Sequence, residues 1–163
     1  QRLILEEALP GPLERREAAD AAAELLISAG YRQIGIDHFA LPGDSLSQAC
    51  DAGMLRRNFQ GYTTDQATTL LPVGASSIGR LPDMFIQNEP SRESRTRRVK
   101  EGQLPIAKGV LLSMDGQLRA AVIERLMCAF SVDLAAICTL FGADIACLSD
   151  AFPRLRAMEQ DGT

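Results

Sequence analysis

The chain carries no cysteine signature. Its four cysteines, Cys50, Cys128, Cys138 and Cys147, show neither CxxC nor CxxxCxxC spacing, which argues against a closed zinc site or a cluster-binding loop. The only histidine is His38, so a nucleophile with its own base has few residues to draw on. No Walker A sequence, GxGxxG, HExxH or EF-hand loop occurs. No metal ligand set and no catalytic residue can therefore be named within the chain. Positive charge is not in excess, and a net charge of -4 gives no electrostatic case for nucleic acid. No apolar run reaches the roughly 18 residues of a membrane-crossing helix. No signal peptide opens the chain. A reducing cytosol without disulfides is the expected compartment, and neither nucleic acid nor membrane is an expected partner. The first residue, Gln1, predicts a cut in a longer chain rather than a natural start.

What is present fits a globular protein. The chain has 163 residues, 46% of them apolar, enough for roughly one domain or a little more. Leu3, Leu5 and Leu9 form a short apolar stripe that Pro10-Gly11-Pro12 breaks. Leu13 to Ala29 is helical in pattern. Leu13, Ala18, Ala21, Ala22, Leu25, Leu26 and Ala29 fall on one broad face, with Gly30 as the stop. Tyr31 to Asp37 then alternates around Ile34 and Ile36 and reads as a strand. Helix, glycine and strand in quick succession suggest the αβ half of a βαβ unit. In an α/β barrel that would put Asp37, His38 and Phe39 on the functional rim.

Pro42-Gly43-Asp44 is a turn, with Ser45 as the expected cap of a helix from Leu46 to about Leu55. Gly43-Asp44-Ser45-Leu46 also spells the signature of GDSL esterases, but those need a downstream His and none follows. Asn58-Phe59-Gln60-Gly61-Tyr62-Thr63-Thr64 suits a short strand and a loop. Ala67 to Gly79 holds small residues that let backbone approach closely. Asn88 to Gly102 is rich in Arg, Glu and Ser and reads as an exposed helix or loop. Its basic run, Arg92, Arg95, Arg97, Arg98 and Lys100, reads as a solvated face, with an anionic ligand's carboxylates as the alternative. Leu104 to Leu112 is a candidate strand or extended connection. Gly116 to Phe130, Val132 to Phe141 and Ala143 to Met158 read as three helices. The pattern predicts an α/β part over 1–112 and a helical part over 113–163.

Two stretches, Ile34-Gly35-Ile36-Asp37-His38-Phe39-Ala40 and Arg57-Asn58-Phe59-Gln60-Gly61-Tyr62-Thr63-Thr64, are too specific for chance composition. Together they resemble the oxygen-independent coproporphyrinogen III oxidases, radical S-adenosylmethionine enzymes of haem synthesis. The resemblance implies the C-terminal part of a partial six-stranded (βα) barrel, followed by the start of a mainly helical domain. It implies a parent enzyme that converts two propionates of coproporphyrinogen III to vinyls, giving protoporphyrinogen IX. The parent's cofactors would be a [4Fe-4S] cluster and two molecules of S-adenosylmethionine. Carried onto this chain, the resemblance places an S-adenosylmethionine contact at Ile78, with Phe59 and Gln60 close to the same ligand. No residue is implied for the substrate propionates. The CxxxCxxC loop of the family is absent, so the piece alone is expected to be inactive, and an exposed half-barrel edge predicts self-association. The alternatives are a stand-alone module that binds a tetrapyrrole or a partner, and, less well supported, a GDSL-type esterase.

Overall fold

Pro12, with its φ fixed by the ring, opens the first helix of a computed structural model that describes residues 9–161. The stripe at Leu3 and Leu5 lies outside the described residues. The chain divides into two compact units, one up to Thr64 and one from Asp65.

In the first unit, α1 (Pro12–Ser28) begins where the Glu14 carboxylate accepts the Gly11 N–H at 2.7 Å. Alanines supply helix propensity, and Arg16 pairs with Asp20 one turn on. No residue of α1 is buried, and Leu13 and Leu25 are 70% and 73% exposed. Ala23 and Leu26 are half-buried, and the rest of the helix, most of the expected apolar face included, is exposed.

Gly30 ends the helix as expected, but the strand that follows is short. β1 (Arg32–Ile34) turns at once into β2 (His38–Ala40), and the two pair antiparallel with Ile34 opposite His38. Tyr31 to Asp37 is therefore not one strand, and the pairing is not the parallel βαβ arrangement. Gly35, at φ +59°, reverses the chain. Asp37 sits in the turn and His38 opens the return strand, so a rim position at a strand's C-terminal end does not describe them. α2 (Ser45–Asp51) is capped by Asp44, whose carboxylate accepts the Leu46 N–H at 2.8 Å. The cap is thus Asp44 rather than Ser45, because a carboxylate two residues before the donor reaches it without strain. Arg32 ties β1 to α2 through a two-pronged pair with Asp51 at 2.7 and 2.6 Å. β3 (Arg56–Asn58) and β4 (Gly61–Thr63) form a second antiparallel hairpin. The stretch read as strand and loop is therefore both arms and the tip of one hairpin.

The second unit holds a three-stranded antiparallel sheet in the order β5 (Ile78–Leu81), β6 (Met84–Asn88), β7 (Ile106–Leu111). α3 (Arg92–Lys100) lies in the β6–β7 connection, capped by Ser91; none of its residues is buried, and Ser94, Arg95 and Arg98 are half-buried. Arg98 of this helix reaches Glu89 at 3.2 Å. The small-residue segment before β5 does approach closely: Leu70 bridges Arg80, and a Cβ on Gly79 would lie 2.5 Å from the Pro72 ring.

The helices follow as α4 (Met114–Ala129), α5 (Leu134–Leu140), a 3-10 turn (Ile145–Leu148) and α6 (Phe152–Asp161). The expected last helix from Ala143 is broken in two. Asp144 caps only the 3-10 turn, and Pro153 can occupy a helix's first turn but not its interior. Leu118, Ile137, Cys138 and Leu148 form the buried core here; burying Leu118 alone contributes roughly 2 kcal/mol. Arg119 clips the ends together, bonding Asp115, Asp150 and the Cys147 carbonyl. Among the described residues the strands make three small sheets, none closed into a barrel.

Candidate functional site

Each of the two hairpins of the first unit takes a ring from the other. Tyr62, on β4, lays its ring over Gly35, where a Cβ would overlap the ring atoms, and its hydroxyl accepts the Ile36 N–H at 3.0 Å. His38, on β2, lies against Gly61; a Cβ there would sit 2.7 Å from Nε2. Both glycines have positive φ, +59° and +131°. Each thus meets a turn that needs its backbone and a ring that needs its missing side chain. The two rings meet edge to face, with centroids 5.0 Å apart and an interplanar angle of 85°.

Charges complete the junction. The Arg57 guanidinium stands 4.4 Å from the Tyr62 ring centre, a cation–π contact. Arg57 also meets Asp37 at 3.2 Å, and Asp37 meets His38 Nδ1 at 3.0 Å. The hydrogen bond from Arg57, then that from His38, holds the Asp37 carboxyl below its ordinary pKa. Asp37 raises Arg57 in turn.

The β3–β4 tip is the pair Phe59-Gln60. Asn58 Oδ1 accepts the Gln60 N–H at 2.8 Å and closes the turn from within. Phe59 is 54% exposed and Gln60 is exposed beside it. An aromatic face next to a primary amide can support a flat heterocycle and bond a polar edge.

Ile78 lies in the second unit, half-buried at the start of β5 and opposite Gln87. The loop before it is held by Asn88, only 3% exposed. The Asn88 amide donates to the carbonyls of Pro72 and Gly74, each at 3.0 Å, and its backbone N–H donates to Ser77. Asn88, Tyr62, Arg57 and Gly35 were not predicted to build a site. For Gly35, Arg57 and Tyr62 the glycines within both quoted stretches were the available signal; Asn88 lies outside them.

No family model matches the chain. Among curated proteins, it is 46% identical over 162 residues to the oxygen-independent coproporphyrinogen III oxidase of Bradyrhizobium diazoefficiens, covering 99% of this chain and 36% of that one. The enzyme of the same name from Pseudomonas aeruginosa is 39% identical over 163 residues, 99% of this chain and 35% of that one. This chain is homologous to the oxygen-independent coproporphyrinogen III oxidases. Among solved structures it matches the coproporphyrinogen III oxidase of Escherichia coli, described as a radical SAM enzyme. The TM-score is 0.90 and the identity 34%, over 99% of this chain and 38% of that one. The chain spans about a third of the length of the relatives it matches.

The mixed strands and helices, with no closed barrel, fit a C-terminal piece of that oxidase fold. Cluster ligation does not fit the chain. Among the described residues no three His, Cys, Asp or Glu side chains are grouped to hold a metal, and all four cysteines are free. No helix of the described residues is long and apolar enough to cross a membrane. The esterase signature is used for folding, since its Asp44 caps α2 while His38 is turned to Asp37 and Gly61.

Proposed function

We propose that this chain is one part of an oxygen-independent coproporphyrinogen III oxidase, a cytoplasmic enzyme that oxidatively decarboxylates two propionates of coproporphyrinogen III and leaves two vinyls. The observation that carries the reading is 46% identity across 99% of the chain to a protein of that name. The exposed part of the α1 apolar face, with Leu13 and Leu25 open to solvent, supports a longer parent that covers it. The barrel portion would run over 1–112 and the helical portion over 113–163. All described strands precede Leu112, and the helices after Met114 share a core of their own.

The intact enzyme would use a [4Fe-4S] cluster and two molecules of S-adenosylmethionine. Bound S-adenosylmethionine supplies the radical chemistry. This chain's contribution is to hold it: Ile78 supplies an apolar contact of the kind that packs on adenine, and Phe59 and Gln60, on the first unit's hairpin tip, offer an aromatic support and an amide for a polar edge. The exposure of Phe59 and Gln60 on a turn with an internal hydrogen bond supports that role. The cluster ligands would come from outside the chain, so the piece alone is inactive. It also self-associates through surface that the parent would cover, and a clean monomer in concentrated size-exclusion runs would refute that.

The test is a chain of the relatives' full length that carries this segment, reconstituted with iron and sulfide. Under anaerobic conditions, with an electron donor, coproporphyrinogen III should release CO2 only when S-adenosylmethionine is present. Phe59→Ala and Gln60→Ala should each weaken S-adenosylmethionine binding about tenfold, the loss of roughly 1.4 kcal/mol. Absence of S-adenosylmethionine-dependent decarboxylation would overturn the assignment.

A further inference from the structure

His38 belongs to neither the predicted ligand contacts nor the buried core, yet it touches both motif stretches. Its Nδ1 is 3.0 Å from Asp37, and Asp37 is in turn bonded by Arg57 of β3 at 3.2 Å. Its other edge rests on Gly61, with Cε1 and Nε2 at 2.9 and 2.7 Å from where a Cβ would be. Gly61 is the residue directly after the Phe59-Gln60 tip. One side of the imidazole is therefore anchored to the first arm of the hairpin through Asp37 and Arg57. The other side sets how closely the second arm can approach.

We propose that His38 is a positioning residue for the Phe59-Gln60 tip. The imidazole, oriented by Asp37, backs Gly61 and fixes the direction in which the tip presents its aromatic ring and amide to S-adenosylmethionine. This rests on the reading of the tip given above. The Asn58 hydrogen bond closes the turn within the hairpin and does not reach β2. The ring's edge-to-face contact with Tyr62 removes the remaining freedom of the imidazole. His38 acts through the packing of its ring, not by carrying a proton to substrate.

Two amides separate these functions. Asparagine places its amide where Nδ1 sits and leaves the space against Gly61 empty. Glutamine reaches the position of Nε2 and refills it. The measurement is the dissociation constant of S-adenosylmethionine by equilibrium dialysis, on the full-length reconstituted protein without porphyrinogen or electron donor. His38→Asn should weaken binding about tenfold, and His38→Gln less than threefold. KM for coproporphyrinogen III should stay unchanged in both, and His38→Gln should keep most of kcat. Asp37→Asn, at an exposed position, should weaken binding about threefold, and it carries the test if either His38 variant fails to fold. Unchanged affinity in His38→Asn and Asp37→Asn, alongside weakened affinity in Phe59→Ala, overturns the positioning role alone. A His38→Gln enzyme that binds normally but loses turnover also overturns it, in favour of proton transfer. Unchanged affinity in Phe59→Ala overturns the reading of the tip itself.

Discussion

The hydroxyl of Tyr62 accepts a hydrogen bond from the Ile36 N–H at 3.0 Å, and the ring below it fills the space that a side chain at Gly35 would need. The two stretches that identify the family are thus halves of one packing arrangement, twenty-six residues apart in the chain. Gly35→Ala would add both a strained φ of +59° and an overlap with a 7%-exposed ring. Gly30, at φ +89° with nothing within 4 Å, is the matched control, since Ala there adds strain alone. Urea unfolding should show Gly30→Ala costing about 1 kcal/mol and Gly35→Ala roughly 3 kcal/mol or more. Equal costs would mean that the Tyr62 ring moves aside freely.

Asp37 makes the same junction sensitive to acid. Its pKa is lowered in the folded state, first by the hydrogen bond from Arg57 and then by that from His38. The unfolded chain therefore binds the proton more readily. The stabilisation is fully present above the ordinary carboxylate pKa, near 4, and is lost as pH falls through the lowered folded value. Asp51 beside Arg32 and Asp150 beside Arg119 act with the same sign. Thermal midpoints should be flat from pH 7 to 5 with respect to these groups and fall below about 4. Asp37→Asn should start lower at neutral pH and lose less on acidification, and a parallel fall would assign the acid sensitivity elsewhere.

The sequence made the two motif stretches, α3, β7 and the first two helices after Met114 legible, because specific words and clear periodicity survive without tertiary context. Strand direction did not survive. Ile34 and Ile36 alternate as neighbours on one face of a strand should, yet Ile34 is fully buried and Ile36 is 52% exposed. Gly35 turns the chain between them, and only the Tyr62 ring, far off in sequence, makes that turn necessary. The break of the last helix was locally readable, since Asp144 and Pro153 are both end signals. The use of Phe59 and Gln60 came from resemblance; their exposure on a turn is what the structure adds.

The four thiols should differ widely in reactivity. Cys128 and Cys138 are buried in the helical part, Cys50 is half-buried and Cys147 is exposed. Burial, then the neighbouring Cys147, pushes the Cys138 thiol above its ordinary pKa, which starves it of the reactive thiolate. Timed alkylation with iodoacetamide under native conditions, followed by peptide mass spectrometry, should label Cys147 first and Cys138 only after unfolding. Early labelling at Cys138 would show that the Leu118–Ile137 core opens locally.

Asn88 should prove the most sensitive polar residue of the second unit. Its side-chain amide is the donor to two carbonyls, those of Pro72 and Gly74, and the residue is only 3% exposed. Asn88→Ala would leave both carbonyls short of that donor and open a small void, at a cost of about 2 kcal/mol. Asn88→Asp should cost more despite its matching shape, because a carboxylate would point acceptor at acceptor in a site with little water. The loop so held leads straight into Ile78, whose partner across the sheet, Gln87, is the residue beside Asn88. Urea midpoints should therefore rank wild type above Asn88→Ala above Asn88→Asp. In the full-length protein, hydrogen exchange at the Ile78 amide should rise in the same order. If Asn88→Asp is as stable as wild type, the amide does not hold the loop, and the geometry before Ile78 is set by the Leu70–Arg80 bridge instead.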